Sequence, residues 1–375
     1  MKGSRGRKLG VVLLAALAVG GAMLLVARGG SDPSSEARHS PADAGRPVEK
    51  AIWGPVEMPD GESAFATYER LGVDVYQAQL RWASIAPRPP SDPRDPTDPA
   101  YDWPAVIDRA VLLAPRHRID VALMITTAPA WANGGRAQIR APEEAADFAD
   151  FAIAAARRYP QVRRWMIWGE PNRSDRFLPN RVRDPSGPRR YAELLDAAYE
   201  GLKSVSDRNI VIGGMTFTGG DVRPPDFLRW MRLPSGRPPR LDWYGHTPYP
   251  YRLPNLSNDP LSGGWRDISD VDTLGEEVDA VYRRLDRNPL LWLSEFTIQN
   301  GHDSRYFAYH VSAGEQAVWL KRGYAAAEEA GNVAGVGWFS LLDQAAGPES
   351  GNWGLMTADG SPKPAFRAYA SILGR

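Results

Sequence analysis

The sequence predicts an α/β fold, a closed (β/α)8 barrel that follows a transmembrane segment and a flexible linker. Eight short apolar runs alternate with segments of helical periodicity, and this alternation is typical of a parallel sheet. The folded part, residues 51–375, has room for a barrel of roughly 250 residues with loop insertions. No Gly-rich turn follows the first run, which disfavours the alternative, an open doubly wound sheet. We therefore expect a TIM barrel.

The first 28 residues have the pattern of an export signal. A basic cluster (Lys2, Arg5, Arg7 and Lys8) precedes an uncharged stretch at residues 9–27, which is long enough to cross about 30 Å of hydrocarbon as a helix. Because basic residues stay in the cytoplasm, the rest of the chain is expected outside. A signal anchor would hold the protein in the cell membrane by a single pass, whereas a cleaved signal peptide would release it.

A flexible linker is predicted between this segment and the barrel. Residues 29–50 contain Ser, Pro, Gly, Ala and charged residues with few apolar ones, a composition typical of spacers. The catalytic domain is then expected over residues 51–375.

The predicted elements follow each other in strict alternation. Apolar runs that read as strands cover residues 52–58, 73–80, 119–126, 164–168, 210–217, 241–245, 290–296 and 333–341. Helical segments cover residues 62–71, 103–113, 142–159, 189–206, 225–231, 273–285, 314–330 and 364–373. The clearest helices, 148–157 and 191–202, carry apolar residues at i, i+3 and i+4.

Composition and charge exclude several classes of protein. The chain is 43% hydrophobic and 24% charged, as globular proteins are. It holds 45 basic and 45 acidic residues, a balance that argues against a nucleic-acid partner. It has no cysteine, which excludes disulfides, thiolate nucleophiles and Cys-ligated metals.

Two glutamates directly follow apolar, Trp-containing strands. The fourth run reads W-M-I-W-G-E-P-N over residues 165–172 and contains Glu170, and the seventh reads L-W-L-S-E-F over 291–296 and contains Glu295. The carboxyl ends of strands four and seven face each other across a barrel mouth, where active sites lie. Cleavage of a glycosidic bond needs two facing carboxyl groups, so this pair predicts a sugar-cleaving site.

These motifs resemble clan A of the retaining glycoside hydrolases, nearest to its family 39-like and family 5-like members. The resemblance covers residues 51–375 in strand order and motifs. It implies that Glu170 is the acid/base and Glu295 the nucleophile. The substrate would be an oligosaccharide or polysaccharide, and no cofactor or metal would be needed. A carboxyl separation of about 5–5.5 Å gives retention and about 6.5–9.5 Å gives inversion; we expect retention.

The resemblance also implies supporting residues. Arg81, in Q-L-R-W, matches an arginine that keeps the nucleophile ionised. His246 and Tyr249, in G-H-T-P-Y-P-Y, match a histidine and a tyrosine after strand six, although Tyr251 could take the tyrosine role. Trp338, in V-G-W-F, matches the tryptophan floor of the subsite for the cleaved sugar.

Trp131 occupies a position that often lines the cleft in related enzymes.

One residue departs from the pattern, because Gly169 replaces the asparagine that usually precedes the acid/base and bonds the sugar 2-hydroxyl. Asn172 could supply that contact instead. The alternative is a catalytically weakened carbohydrate-binding barrel involved in polysaccharide handling.

Other chemistries have little support in the sequence. No His-Glu-x-x-His spacing indicates a zinc site, and no Gly-x-Ser-x-Gly motif indicates a serine hydrolase. Further aromatic residues in loops could stack on sugars away from the cleaved bond; these are Trp265, Tyr306, Tyr309 and Trp353. Trp168, Trp243 and Trp292 lie within strands and are expected in the core.

Overall fold

A computed structural model describes residues 47–250, 264–285, 287–301, 309–344 and 351–374 of the chain. Within these residues eight parallel strands close into a barrel in sequence order, β1 to β8. The strands are β1 Glu49–Trp53, β2 Val75–Arg81, β3 Asp120–Thr126, β4 Arg164–Ile167, β5 Ile210–Phe217, β6 Trp243–Thr247, β7 Leu290–Phe296 and β8 Val333–Phe339. The predicted (β/α)8 barrel is confirmed.

Helices follow the strands and cover the outside of the barrel. They are α1 Phe65–Arg70, α2 Trp82–Ile85, α3 Ala105–Leu113, α4 Ala145–Arg158, α5 Ser186–Val205, α6 Pro224–Trp230, α7 Val271–Tyr282, α8 Ala313–Ala330 and α9 Pro364–Ala370. The apolar faces of α4 and α5 are buried, as the helical period of their apolar residues predicts. The sequence pattern did not reveal α2, which is a single turn directly after β2.

The barrel begins earlier than its apolar pattern indicates. β1 starts at Glu49, within the predicted linker, and its Glu49 and Lys50 pair with Gly335 and Val336 of β8. Both charged side chains are buried. Lys50 Nζ donates to the carbonyl oxygens of Leu71 and Ile372 at 2.6 and 2.9 Å. Paired charged residues therefore form part of the wall, which a search for apolar runs cannot detect.

A buried ionic group stabilises the lower end of the barrel. Arg164 of β4 is 5% exposed and donates to Glu49 at 2.8 Å and to Asp120 at 2.9 Å. Its guanidinium also stacks over the ring of Trp243. Removing one member of such a buried pair leaves the other charge uncompensated.

The upper layers of the barrel interior are mainly apolar. Trp53, Met124, Met166, Met215 and Trp292 pack there in one cluster. This layer separates the ionic group at the amino ends of the strands from the cleft at their carboxyl ends. Trp292 and Trp243 are buried as expected.

No helix among the described residues combines the length and the apolar composition that crossing a bilayer requires. The predicted membrane segment, residues 9–27, lies outside the described residues.

We predict that an amino-terminal truncation lowers the free energy of unfolding when it removes Glu49 and Lys50. A truncated protein that starts at Ala51 loses Glu49 and Lys50, whereas one that starts at Pro47 keeps them. The shorter protein should lose about 3 kcal/mol or more of its free energy of unfolding, because Arg164 loses its buried partner. Urea unfolding of the two proteins measures the difference, and equal midpoints would contradict the structural role of these residues.

Candidate active site

The carboxyl ends of the strands surround a cleft of about 410 Å³. Four of the predicted site residues line it, namely Arg81, Glu170, Tyr249 and Glu295. Apolar surface in the cleft comes from aromatic side chains that a sugar ring could stack on. These are Trp168, Phe217, Phe339 and Trp353.

The backbone holds Glu170 in an uncommon conformation. Glu170 has a φ of 51° and Trp168 a φ of 62°, in the left-handed region that few non-glycine residues adopt. Strand bonds maintain this turn: Trp168 N–H donates to Ile125 O at 2.9 Å, and Glu170 N–H donates to Met215 O at 3.0 Å. Such strain is concentrated at functional sites, where the surroundings enforce it.

The Glu170 carboxylate is paired with arginines from its own loop. Arg173 Nη1 lies 2.7 Å from Glu170 Oε2, and Arg176 Nε lies 3.7 Å from it. Thr247 Oγ1 donates to the other oxygen at 3.4 Å. The Glu170 side chain is 13% exposed. One of its carboxylate oxygens therefore lies beside two guanidinium groups and the other accepts from a hydroxyl.

Arg173 is itself held from three sides. Its guanidinium forms a bidentate ion pair with Asp175, in which Nε donates to Oδ1 at 2.9 Å and Nη2 donates to Oδ2 at 2.7 Å. It also stacks over the ring of Phe217, whose ring contacts that of Tyr249. The cation beside Glu170 therefore has a fixed position.

Glu295 lies at the end of β7 with a different environment. Its Oε2 accepts a hydrogen bond from the Tyr249 hydroxyl at 2.8 Å. Burial and, next, the negative charge of Glu170 raise the pKa of Glu295 to about 7, against the Tyr249 hydrogen bond and the charges of Arg176 and Arg173. The dependence on Glu170 indicates that the two carboxyl groups share one electrostatic environment.

The expected role of Arg81 differs from what the structure contains. Arg81 lines the cleft, but its Nη2 donates to Gln138 Oε1 at 3.2 Å. The arginines whose charges act on Glu295 are Arg173 and Arg176. Glu295 therefore has a raised pKa rather than the lowered one that an adjacent Arg81 would give, and the arginine ion pair is made with Glu170.

His246 is placed in the wall of the barrel. It is 1% exposed, its Nδ1 contacts Thr216 Oγ1 at 2.8 Å, and its Nε2 contacts Arg266 O at 2.6 Å. Burial lowers its pKa to about 4. It fixes the ends of β5 and β6, and thereby positions Thr247 beside Glu170. Tyr251, the alternative to Tyr249, lies outside the described residues.

Asn172 does not face the cleft. Its side-chain amide donates to Phe217 O and Val222 O at 2.8 and 2.9 Å, and its oxygen accepts from Phe217 N at 2.8 Å. The amide is thus fully used in joining the loop after β4 to the end of β5. The expectation that it bonds a sugar hydroxyl is wrong for this reason.

The Met124 side chain occupies the space that a side chain at Gly169 would need. A Cβ at this position would lie 2.8 Å from Met124 Sδ. The asparagine that the resemblance implies here would require Met124 to move away from the floor of the cleft.

Trp338 and Trp131 lie beside the cleft rather than in it. Trp338 is fully buried on the outer face of β8, with its ring 5.6 Å from that of Phe296. Its neighbour Phe339 lines the cleft instead, because successive side chains of a strand point to opposite faces. Trp131 donates to Ala86 O at 2.8 Å and packs edge-on against Trp82.

Of the further aromatic candidates, only Trp353 lines the cleft among the described residues. Trp265 stacks with Arg223, Tyr309 is packed against the hydrophobic core, and Tyr306 lies outside the described residues. Arg173 and Arg176 are site residues that the sequence motifs did not predict. Their spacing after Glu170, at i+3 and i+6, was the available signal.

The barrel is similar to those of solved glycoside hydrolases. A family 39 glycoside hydrolase from the gut symbiont Bacteroides cellulosilyticus aligns with a TM-score of 0.64 at 20% identity, over 88% of this chain and 64% of that one. A monomeric β-xylosidase from Caulobacter crescentus aligns with a TM-score of 0.60 at 18% identity, over 87% of this chain and 69% of that one.

A family 39 enzyme from Xanthomonas axonopodis gives a TM-score of 0.58 at 17% identity, over 88% of this chain and 67% of that one. This chain therefore spans about two thirds of the length of these proteins. No protein-family model and no curated protein sequence matches this chain.

We predict that Glu295 makes stability depend on pH. Its folded pKa lies above the ordinary value of 4.5, so the fold loses stability as pH rises from about 4.5 through 7. Glu295→Gln should be more stable than the wild type by about 1–3 kcal/mol at pH 8, a range reduced for its partial exposure, and equally stable near pH 4. Urea unfolding at both pH values measures this.

The exposed Glu62 provides the matched control, because Glu62→Gln should change little at either pH. A Glu295→Gln protein that gains nothing at pH 8 would contradict the raised pKa.

Proposed function

We propose that this protein is a retaining glycoside hydrolase that cleaves O-glycosidic bonds of an oligosaccharide or polysaccharide. The observation that supports this most strongly is the pair Glu170 and Glu295 in one cleft at the mouth of the barrel, with the charge of Glu170 raising the pKa of Glu295. Two carboxyl groups with different environments are what acid and nucleophile roles require. The clan A fold is consistent with this chemistry.

The proposed reaction has two steps. Glu170 gives its proton to the leaving oxygen while Glu295 attacks the anomeric carbon, so the C–O bond breaks and a glycosyl ester with Glu295 forms. Glu170 then takes a proton from water, the water oxygen attacks the same carbon, and Glu295 leaves as a carboxylate. Neither carboxyl group is consumed.

A proton must move between the two groups before this can occur. The pair titrates as a unit, and without substrate its proton is favoured on Glu295. For hydrolysis the proton has to lie on Glu170. We propose that a sugar entering the cleft separates Glu170 from Arg173, which keeps its two hydrogen bonds to Asp175.

The proposed location is outside the cytoplasm, either anchored in the cell membrane or secreted. This part of the proposal rests on the basic cluster and the uncharged stretch at residues 9–27.

A carbohydrate-binding barrel with weakened turnover is the second candidate. The Glu170 carboxylate is engaged by Arg173 at 2.7 Å rather than free to contact a leaving group. Neither Gly169 nor Asn172 offers a donor for the sugar 2-hydroxyl.

Substitution of each glutamate tests the proposal. Glu170→Gln should lower kcat/KM by about 10²–10⁴-fold on oligosaccharides, and much less on aryl glycosides whose leaving group needs no proton. Glu295→Gln should abolish turnover of both substrates. Initial rates over a glycoside panel measure this, and proton NMR of the first product should show the anomeric configuration of the substrate.

Glu62→Gln again serves as the control. Turnover that survives in Glu295→Gln would overturn the proposal. Sugar binding without turnover in the wild type would favour the second candidate.

We predict that Tyr249→Phe shifts the pH profile. The Tyr249 hydrogen bond opposes the rise in the pKa of Glu295, so its loss should raise that pKa further. The acid limb of kcat/KM should move up by about one pH unit, since a hydrogen bond to a charged group contributes roughly 1.5–3 kcal/mol. The matched control is Tyr101→Phe, whose hydroxyl donates to Pro93 O outside the cleft. An unmoved acid limb would exclude Glu295 as the group that must ionise.

A further inference from the structure

A second cavity of about 410 Å³ lies beside the catalytic cleft, and it is rich in arginine. The loops after β3 and β4 and the first turn of α5 form it. Its basic lining residues are Arg136, Arg140, Arg189 and Arg190, and its acidic ones are Glu143 and Glu193. We refer to it as the distal basic cavity.

The cavity has an excess of positive charge, because its lining contains four arginines and two glutamates. Arg190 is paired with Glu193 at 2.6 Å and donates to backbone oxygens of the loop after β3. The side chains of Arg136, Arg140 and Arg189 form no hydrogen bond or ion pair within 4 Å in the described part of the chain. Arg189 acts on Asp184 at longer range. The whole chain carries no net charge, so this excess is local.

One short segment separates the cavity from the cleft. Ile139 lines the cleft and Arg140 lines the distal basic cavity. Gln138 accepts a hydrogen bond from Arg81, which also lines the cleft. The segment is fixed to the loop of Glu170, because Leu178 N–H donates to Ile139 O at 2.8 Å and Ala141 N–H donates to Leu178 O at 2.9 Å.

Arginines lie on both sides of this segment. Arg81 and Arg176 line the cleft, and the side chain of Arg176 is 49% exposed, while Arg140 faces the distal basic cavity. A ligand longer than the cleft would pass over residues 138–140 to reach the second group of arginines. A small anion would contact only one of the two groups.

We propose that the substrate is an acidic polysaccharide whose sugars carry carboxylate groups, and that its chain extends from the cleft into the distal basic cavity. This inference rests on the proposed function and adds the class of its substrate. Guanidinium groups bind carboxylates through paired hydrogen bonds, and clustered charge also raises the local concentration of a polyanion. A neutral glycan gains nothing from unpaired arginines, whereas repeated carboxylates neutralise them.

The test measures binding to the full-length Glu295→Gln protein, so that substrate is not consumed. The ligands are uronic acid oligosaccharides of several linkages, each paired with its carboxyl-reduced counterpart, which has the same backbone without the charge. Calorimetry should give tighter binding of at least one acidic oligosaccharide than of its reduced form. That preference should weaken as salt is raised.

Adding Arg140→Gln and Arg189→Gln should weaken binding of the acidic oligosaccharide by at least about tenfold. It should leave the affinity for the reduced form within about twofold. Arg208→Gln with Arg237→Gln is the matched control. It removes two exposed arginines from the loops before β5 and β6, at the opposite end of the barrel.

Three outcomes would overturn the inference: equal binding of acidic and reduced ligands, an equal loss in the control protein, or equally tight binding of polyglutamate. The proposed function is judged separately. Selective binding of acidic ligands with no hydrolysis by the wild type would support the acidic ligand class and contradict the proposed hydrolase activity. Hydrolysis of neutral glycans without binding of acidic ones would support the hydrolase activity and contradict the acidic ligand class.

Discussion

The site depends on the repulsion between two carboxyl groups that share a partly buried cleft. Both cannot be charged at low cost where water is scarce, so the protein must supply positive charge or keep a proton. It does both: Arg173 neutralises Glu170, while Glu295 has a pKa near neutrality. Tyr249, Thr247 and the barrel wall around His246 hold this arrangement in place. The proposed reaction requires one proton to move between these two groups, which the fold already holds in position.

The fold could be predicted because its signal is repeated. Eight apolar runs separated by helical periods leave few arrangements other than a barrel, and the structure confirms it. The predicted start of the barrel is wrong because charged residues form part of its first strand. Glu49 and Lys50 read as linker because they are charged, yet each is buried against partners distant in sequence. Such partners become visible only after the chain has folded.

The sequence predicts which strand ends form the candidate site, but not which loop residues face it. Glu295 lines the cleft because it lies within β7 on the face that points inward, and successive side chains of a strand alternate between the two faces. Glu170 lines it because backbone bonds to β3 and β5 hold the turn after β4. The predicted cleft position of Trp338 is off by one residue, because Phe339 is the side chain that points into the cleft. Asn172 and Arg173 are adjacent in a loop, where side chains follow no regular periodicity that would indicate which of them faces the cleft. Arg81 reaches the cleft, but its partner, Gln138, belongs to a different loop.

The turn that carries Glu170 is fastened to strands rather than to loops. Its backbone bonds go to Ile125 of β3 and Met215 of β5, whereas the arginines of the distal basic cavity lie on the loop after β3 and at the start of α5. The carboxyl pair and the distal arginines are thus carried by different parts of the molecule. Substitutions in the outer segments can change the charge beside the cleft without disturbing the two carboxyl groups. The barrel can therefore evolve a new recognition surface around an unchanged pair of acidic side chains.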